Sequence, residues 1–325
     1  MQLKKFLAKA LIFSSPIIIC WLFIVMIDPV NIFNIFSIVD RDTKLIMISR
    51  SASSQPLGTL NWKAPEFRRK PCTNIIIGDS QSFGIKEALM SELTGSKFYN
   101  FSVPGANMET KFSIFWFAAK QIKLSKVIFQ LSFPNWNLGG EDMFPTIQKY
   151  MDKPYLYLLN SSSLNDSYAN LKYVLTKKYD QEKSIYAFPI TAENEKLFNR
   201  FLQGMFKKYK FSDSKFNELN KIVSYCEENK ISLEFLFLPL HENYYTYLSD
   251  NNLTEVNEKF ISEISLLGKT YNYSTINDIN IKEENFKDYF HQKDFITDSI
   301  TRLIWTKKKS QQTPADQYIK SLNQN

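Results

Sequence analysis

The stretch NIIIGDSQSFGI, residues 74–85, passes abruptly from β-branched apolar residues to Gly78-Asp79-Ser80 and then to a helix-like pattern. A short apolar run bounded by a turn signal reads as a buried strand, here Asn74–Ile77, with a helix predicted over Gly84–Leu93. Further along, Lys97–Val103 alternates Tyr99, Phe101 and Val103 as a second strand before Pro104-Gly105 breaks it. Met108–Ile122 reads as a helix and Lys126–Leu131 as a third strand. Alternation of this kind implies right-handed crossovers and a parallel sheet, hence an α/β fold. The rhythm returns with a helix over Ser214–Lys230, whose Phe216, Leu219, Ile222, Val223 and Cys226 keep helical spacing. A strand over Ser232–Leu240, a helix over Leu253–Leu267, a strand over Thr270–Ile276 and a terminal helix over Asp294–Trp305 follow.

A chain of 325 residues with 44% hydrophobic content supports one large domain plus further segments, and sparse Gly and Pro exclude a disordered chain. No repeat of solenoid length is visible. The formal charge of +7 gathers in Arg68-Arg69-Lys70, Lys207-Lys208 and Lys307-Lys308-Lys309. These clusters read as solvated surface, with a membrane surface or an anionic polymer as the next option. Nucleic acid is not an expected partner, because no binding motif accompanies the basic residues. Three Cys exclude a disulfide framework, and Cys72 and Cys226 pair only if the fold brings them together.

The stretch ALIFSSPIIICWLFIVMI, Ala10–Ile27, holds 18 residues without charge, near the minimum for a membrane-spanning helix. Lys4, Lys5 and Lys9 precede it, so the positive-inside rule puts the N-terminus in the cytoplasm and the rest outside. Pro16 is tolerated in such a helix. A cleaved signal peptide is the main rival and a buried helix of a soluble protein the next, but Asp28-Pro29 follows the run instead of a small-residue cleavage site, and Ile17-Ile18-Ile19 is too bulky for a lipoprotein box before Cys20. The expectation is a single-pass cytoplasmic-membrane protein with a signal anchor at 1–30 and a membrane-proximal connector at 31–73. An extracytoplasmic domain then occupies 74–309, with a Tyr-, Asn- and Ser-rich insertion or lid at 133–212, and a polar tail runs over 310–325.

A serine is a weak nucleophile and needs a base, which histidine supplies near neutral pH when a carboxylate holds its tautomer. The chain has two His, so the base is His241 or His291. His291 sits in DYFHQKDF with Asp288 three residues before it, and positions i and i+3 share a face in a helical turn. Ligand sites of open parallel sheets lie at the carboxyl ends of strands. Ser80 follows one strand there and Asp288/His291 follow the last, so the two halves are able to meet. His241, after FLFLPL, lacks a carboxylate at the same spacing and reads either as a structural residue or as part of a substrate groove.

Together, IIIGDSQSFG and DYFH resemble the SGNH, or GDSL-type, hydrolases over roughly residues 74–305, with the insertion unmatched. That resemblance implies a three-layer α/β/α sandwich with Ser80 as nucleophile, His291 as base and Asp288 as orienting acid, leaving Asp79 structural. It also implies an oxyanion hole made by the N–H groups of Ser80 and Gly105. The family often carries Gly-x-Asn-Asp after the third strand. Here VIFQLSFPNWN puts Pro134 where that Asn lies, so Asn135 one position later substitutes, or Asn107 does, or the third donor is missing. The anchor followed by IDPVNIF resembles the layout of membrane-anchored proteins that transfer acyl groups to bacterial surface glycans beside a polytopic membrane acyltransferase. The function so implied is a serine-dependent acyl esterase or O-acyltransferase acting on an envelope glycan. The alternatives are a lipase or esterase for small or lipid esters, and a non-catalytic scaffold. His241, Asn107 and Trp136 are the candidate groove residues, and Trp136, Phe144, Tyr150, Tyr155 and Tyr157 either cover an acyl pocket, stack on sugars or form a satellite core. The mechanism needs no metal or cofactor, and the few His and Cys supply no ligand cluster.

Overall fold

The computed structural model describes residues 2–50, 57–178, 190–207, 209–275 and 279–306. The expected polar tail, the Lys307–Lys309 cluster, Lys208, Ile276 and residues 179–189 of the expected insertion lie outside the described residues. In chain order the helices are α1 (Gln2–Ile27), α2 (Arg41–Arg50), α3 (Leu57–Arg69), α4 (Glu87–Thr94), α5 (Met108–Gln121), α6 (Phe144–Asp152) and α7 (Tyr155–Leu158), then α8 (Ser161–Thr176), α9 (Ala192–Phe206), α10 (Asp213–Glu228), α11 (Glu242–Asp250), α12 (Thr254–Leu267) and α13 (Asp294–Trp305). The strands are β1 (Asn74–Ile77), β2 (Tyr99–Asn100), β3 (Lys126–Gln130), β4 (Ser232–Phe237) and β5 (Lys269–Asn272). Two compact units result, one from residues 1–66 and 144–185 and the other from residues 67–143 and 186–325.

The larger unit holds a parallel sheet of five strands in the order β2-β1-β3-β4-β5. Alternate residues of a strand point to opposite faces, and both faces here are apolar. Ile76, Ile128 and Leu236 join Leu89, Met90 and Leu93 of α4 and Ile296, Ile300 and Trp305 of α13 in one buried cluster. On the other face, Phe129 packs on Phe112 of α5 at 6.2 Å between ring centroids, and Phe237 on Phe260 of α12 at 5.8 Å. Helices on both faces give the expected layering, and because every strand runs the same way, their carboxyl ends share one edge.

Element boundaries differ from the sequence reading where side chains intervene. The Asn100 Nδ2 donates to the carbonyls of Ser82, Phe83 and Ile85 at 2.8–3.2 Å. Residues expected to open α4 are thereby held in a turn, and the helix starts at Glu87. The strand expected over Lys97–Val103 shrinks to Tyr99–Asn100, although Phe101 and Val103 still donate to Ile76 O and Gly78 O at 2.7 and 3.0 Å. α11, which apolar spacing does not announce, begins where the ring of His241 caps it.

The smaller unit corrects two expectations. The connector at 31–73 contains α2 and α3. Asp40 opens α2 by accepting from Thr43 N and Thr43 Oγ1 at 2.8 and 2.7 Å, while Pro65 lies inside α3, where proline normally argues against a helix. The insertion at 133–212 is not one lid. Residues 144–185 belong with residues 1–66, where Tyr157, with Tyr150 against it, joins Ile24, Val30, Ile48 and Trp62 in a core. Residues 186–212 belong to the sheet unit.

α1 includes the whole apolar stretch Ala10–Ile27. Among the described residues, however, no helix is long and apolar enough to cross a membrane. Part of the stretch serves the protein's own core, since Ile24 and Ile27 are buried. Cys20, Cys72 and Cys226 are all unpaired, so the Cys72–Cys226 bridge is not formed.

Phe129→Ala removes a fully buried ring from the centre of the sheet. We expect it to lower the unfolding free energy by about 3–5 kcal/mol, seen as a lower urea midpoint at unchanged slope.

Candidate active site

β1 ends at Ile77, and Gly78 follows in a place that no side chain fits. A Cβ there would collide with Ser82 Oγ and lie 2.7 Å from Gln130 Oε1. Gln130 closes β3 with a buried amide that accepts from Asp79 N at 2.9 Å and donates to Gln81 Oε1 at 2.9 Å. The strand-to-helix turn bearing Ser80 is thereby tied to the neighbouring strand.

The loop of residues 286–292 brings Asp288 and His291 to that turn. It is closed by a bridge between Phe286 and Gln292 and by Lys287 N donating to His291 O at 2.7 Å. The segment is a bend rather than a helix, and His291 N donates to Asp288 O at 3.3 Å across the i, i+3 step. The Asp288 carboxylate adds to this, its Oδ1 accepting from the backbone N–H of Phe290 and of His291, each at 2.8 Å. His291 Nδ1 lies 2.7 and 2.9 Å from the two Asp288 carboxylate oxygens, and Nε2 lies 2.8 Å from Ser80 Oγ. Because a carboxylate accepts, Nδ1 carries the ring proton and Nε2 is left to accept from the serine hydroxyl. Gln292 Nε2 donates to Gln81 O at 3.1 Å, pinning the loop to the serine turn. The three residues singled out from two ends of the sequence thus form one hydrogen-bonded chain, with Asp288 buried and His291 partly open to solvent.

The groups expected to hold an oxyanion flank Ser80 across three adjacent strands. Gly105 follows β2 in the left-handed region at φ 76°, which favours glycine. Among the described residues, the backbone N–H groups of Ser80 and Gly105 donate to no protein acceptor. Asn135 follows β3 in a short 3-10 turn, Phe133–Trp136. Its Nδ2 donates to Asp79 Oδ2 at 3.1 Å, leaving the second amide hydrogen without a described acceptor. Lys215 of α10 fixes this segment by donating to the carbonyls of Asn135, Asn137 and Gly139 at 2.8–3.0 Å.

Behind Ser80 lies a charged pair that the sequence reading passes over. Lys111 of α5 is fully buried, with Nζ 2.8 Å from Asp79 Oδ2 and 3.2 Å from Gln130 O. Asp79 also accepts from Gln81 N at 3.0 Å and Ser132 Oγ at 3.2 Å. Burial pushes the Asp79 carboxyl up, but the Lys111 charge and these hydrogen bonds outweigh it and hold the group below the ordinary carboxylate value. Burial in turn pulls Lys111 below the ordinary lysine value, with Asp79 opposing the shift. The signal was present in the chain: Lys111 shares a helical stripe with Ile114, Phe115 and Ala118, all buried. A cation on a core stripe requires a buried partner.

Of the three expected groove residues, Trp136 and His241 are buried and Asn107 is partly exposed. Asn107 caps α5, its Oδ1 accepting from Thr110 N at 3.0 Å, while its Nδ2 donates to Glu141 O at 2.8 Å. Trp136 is fully buried, stacked on Phe211 at 5.8 Å and tilted on Phe260 at 5.0 Å. Of the aromatic residues expected with it at a pocket, Tyr150 and Tyr157 lie in the core of the smaller unit and Phe144 is buried, while Tyr155 is exposed on the smaller unit. His241 is buried, accepts from Asn243 N at 3.3 Å and packs edge-on against Phe286 and Tyr289, whose loop carries Asp288. No protein-family model matches the chain, and no curated protein matches it.

Burial holds His241 below the ordinary histidine pKa, against the pull of Glu242 and Glu283. The unfolded chain therefore takes up a proton at a pH where the folded chain does not. The His241 contribution is intact above the unfolded value of about 6.5 and is lost as pH falls from there toward the folded value. His241→Asn keeps a capping acceptor and removes the titration. Urea midpoints measured from pH 7.5 to 5 are expected to fall less steeply in this variant than in the wild type.

Proposed function

We propose that the chain is a serine-dependent acyl esterase or O-acyltransferase of the SGNH type, acting through an acyl-Ser80 intermediate. The observation that carries this reading is the continuous hydrogen-bonded chain from Ser80 Oγ through His291 to Asp288. In the proposed first step, Ser80 Oγ attacks the ester carbonyl carbon while His291 Nε2 takes the hydroxyl proton. The N–H groups of Ser80 and Gly105 and the Asn135 amide receive the developing oxyanion. The ester C–O bond then breaks, and His291 returns its proton to the leaving alkoxide. In the second step His291 deprotonates water or a sugar hydroxyl, which attacks the acyl carbon, and the proton passes back to Ser80 as its bond to the acyl group breaks. Asp288 stabilises the imidazolium that forms in both steps.

The envelope setting is part of the proposal. Although no described helix is long and apolar enough to cross a membrane, α1 is read in this proposal as an anchor that holds the sheet unit outside the cytoplasmic membrane, within reach of an acylated glycan and of a polytopic acyltransferase. Its support is the charge-free run after Lys4, Lys5 and Lys9 and the apolar side chains that α1 leaves uncovered, such as Ile12, Phe13 and Ile19, exposed by 71%, 85% and 63%. One observation favours a second reading, an esterase for lipid or small esters. Phe201 of α9 is exposed and lies 5.5 Å from the ring of Phe290, the residue before His291, so apolar surface adjoins the site. The scaffold reading draws no support from an intact chain of this geometry.

A fluorophosphonate probe is expected to label the wild type and not Ser80→Ala; an unlabelled wild type refutes the acyl-enzyme reading. His291→Ala and Asp288→Ala are expected to lower p-nitrophenyl acetate hydrolysis by roughly 1,000-fold or more, and full activity in either removes that residue from the mechanism. Cells lacking the protein are expected to show reduced glycan acylation. Unchanged acylation together with a labelled Ser80 favours the lipid-ester reading.

A further inference from the structure

Lys111 has no solvent contact, and Asp79 is the one carboxylate within ion-pair distance of it among the described residues. The groups facing the ammonium are Asp79 from the turn after β1 and Gln130, through its main-chain and side-chain oxygens, from the end of β3. Stability alone does not call for such a pair, because apolar residues of the same volume commonly serve as well or better. Its location is more telling. Asp79 precedes Ser80 directly, and the Asp79 oxygen that meets Lys111 is the one that accepts from the Asn135 amide. An amide group is planar, so holding one N–H in place sets the direction of the other. A carboxylate next to an oxyanion site also repels the negative charge that forms there, unless a fixed cation cancels it.

We infer that Lys111 is a positioning residue for the Ser80 reaction: acting through Asp79, it keeps the Asn135 amide aimed at the oxyanion and cancels the carboxylate charge beside it. The inference rests on the acyl-Ser80 reading. Lys111 touches neither Ser80 nor His291 and takes no proton in the reaction; its effect is confined to the energy of the oxyanion. Removing it therefore lowers kcat and leaves KM nearly unchanged.

Steady-state hydrolysis of p-nitrophenyl acetate by the full chain tests this, with melting temperatures recorded and assays run well below them. Lys111→Met is expected to lower kcat about 100-fold, the scale of one oxyanion donor, with KM within about threefold. The double variant Asp79→Asn/Lys111→Met replaces the ion pair by neutral groups and keeps an oxygen to accept from Asn135. It is expected to recover kcat to within roughly tenfold of wild type. Asp79→Ala/Lys111→Met keeps no such acceptor and is expected to stay about 100-fold slow. Wild-type kcat in Lys111→Met, or an Asp79→Asn/Lys111→Met variant as slow as the single one, overturns the inference. If Lys111→Met does not fold, the two double variants decide, since neither buries an unpaired charge; equal kcat in the two overturns the inference. Fluorophosphonate labelling of wild-type Ser80 separates the failures. An unlabelled wild type defeats the acyl-enzyme reading itself, whereas a labelled wild type with an indifferent Lys111 defeats this inference alone.

Discussion

An ammonium group without water must be matched where it lies, and the Lys111–Asp79 pair is the constraint around which this sheet edge is assembled. An unmatched ion of this kind costs several kcal/mol, so α5, which carries Lys111, is tied to the turn after β1, which carries Asp79. Gln130 extends the match to β3 by supplying a carbonyl to Lys111 and an amide to Gln81. Gln81 in turn accepts from Gln292 and donates to Phe290 O at 3.5 Å, reaching the loop of His291. The 2.8 Å approach of His291 to Ser80 thus stands at the end of a polar network that starts in the helical layer. Hydrogen bonds linked in this way hold the groups they join in place, although Gln292 Oε1, at the far end of the network, is buried without a hydrogen-bond partner.

The sequence was most legible where a single force acts. β1 and α13 occupy the residues predicted for them, because a charge-free β-branched run and a 3.6-residue apolar stripe each have one good place to go. Legibility failed where a side chain overrode the local pattern. Helical spacing suits residues 84–86, but the Asn100 amide collects the carbonyls there and no spacing rule contains that. Trp136 and Phe198 show the same limit from the other side. Trp136, between two asparagines, reads equally as groove or core, and Phe211, which decides it, is 75 positions away; Phe198 likewise packs on Tyr289, 91 positions away. The division of the expected insertion between two compact units belongs here too, since periodicity says that a face is apolar and not which body covers it.

The two histidines had similar standing by strand position, and the carboxylate three residues before His291 was the only sequence feature that separated them. The structure gives that spacing a backbone turn and a second cause besides. Asp288 accepts the N–H groups of Phe290 and His291 before it meets the ring, so the same oxygen that folds the loop also orients the His291 ring. His241 is not idle in this arrangement. Its buried ring supports Phe286 and Tyr289 from below, so the histidine outside the hydrogen-bonded chain helps to shape the loop of the one within it.

The displaced asparagine is where sequence pattern and physical requirement part most clearly. A motif ties a role to a position, and by position Pro134 occupies the place of the amide. The chemistry ties the role to a donor held at the right point, and two anchors hold this one: Asp79 grips the side chain of Asn135 and Lys215 grips its carbonyl. Asn135 lies one position later, in the tight turn Phe133–Trp136 that contains Pro134, with its amide held by the carboxylate next to Ser80. In the proposed reaction a second negative charge forms beside this carboxylate, and the buried lysine is the cation placed to answer it. A proline in the third block and a lysine on a core stripe, separate irregularities in the sequence, are on this view two parts of one arrangement.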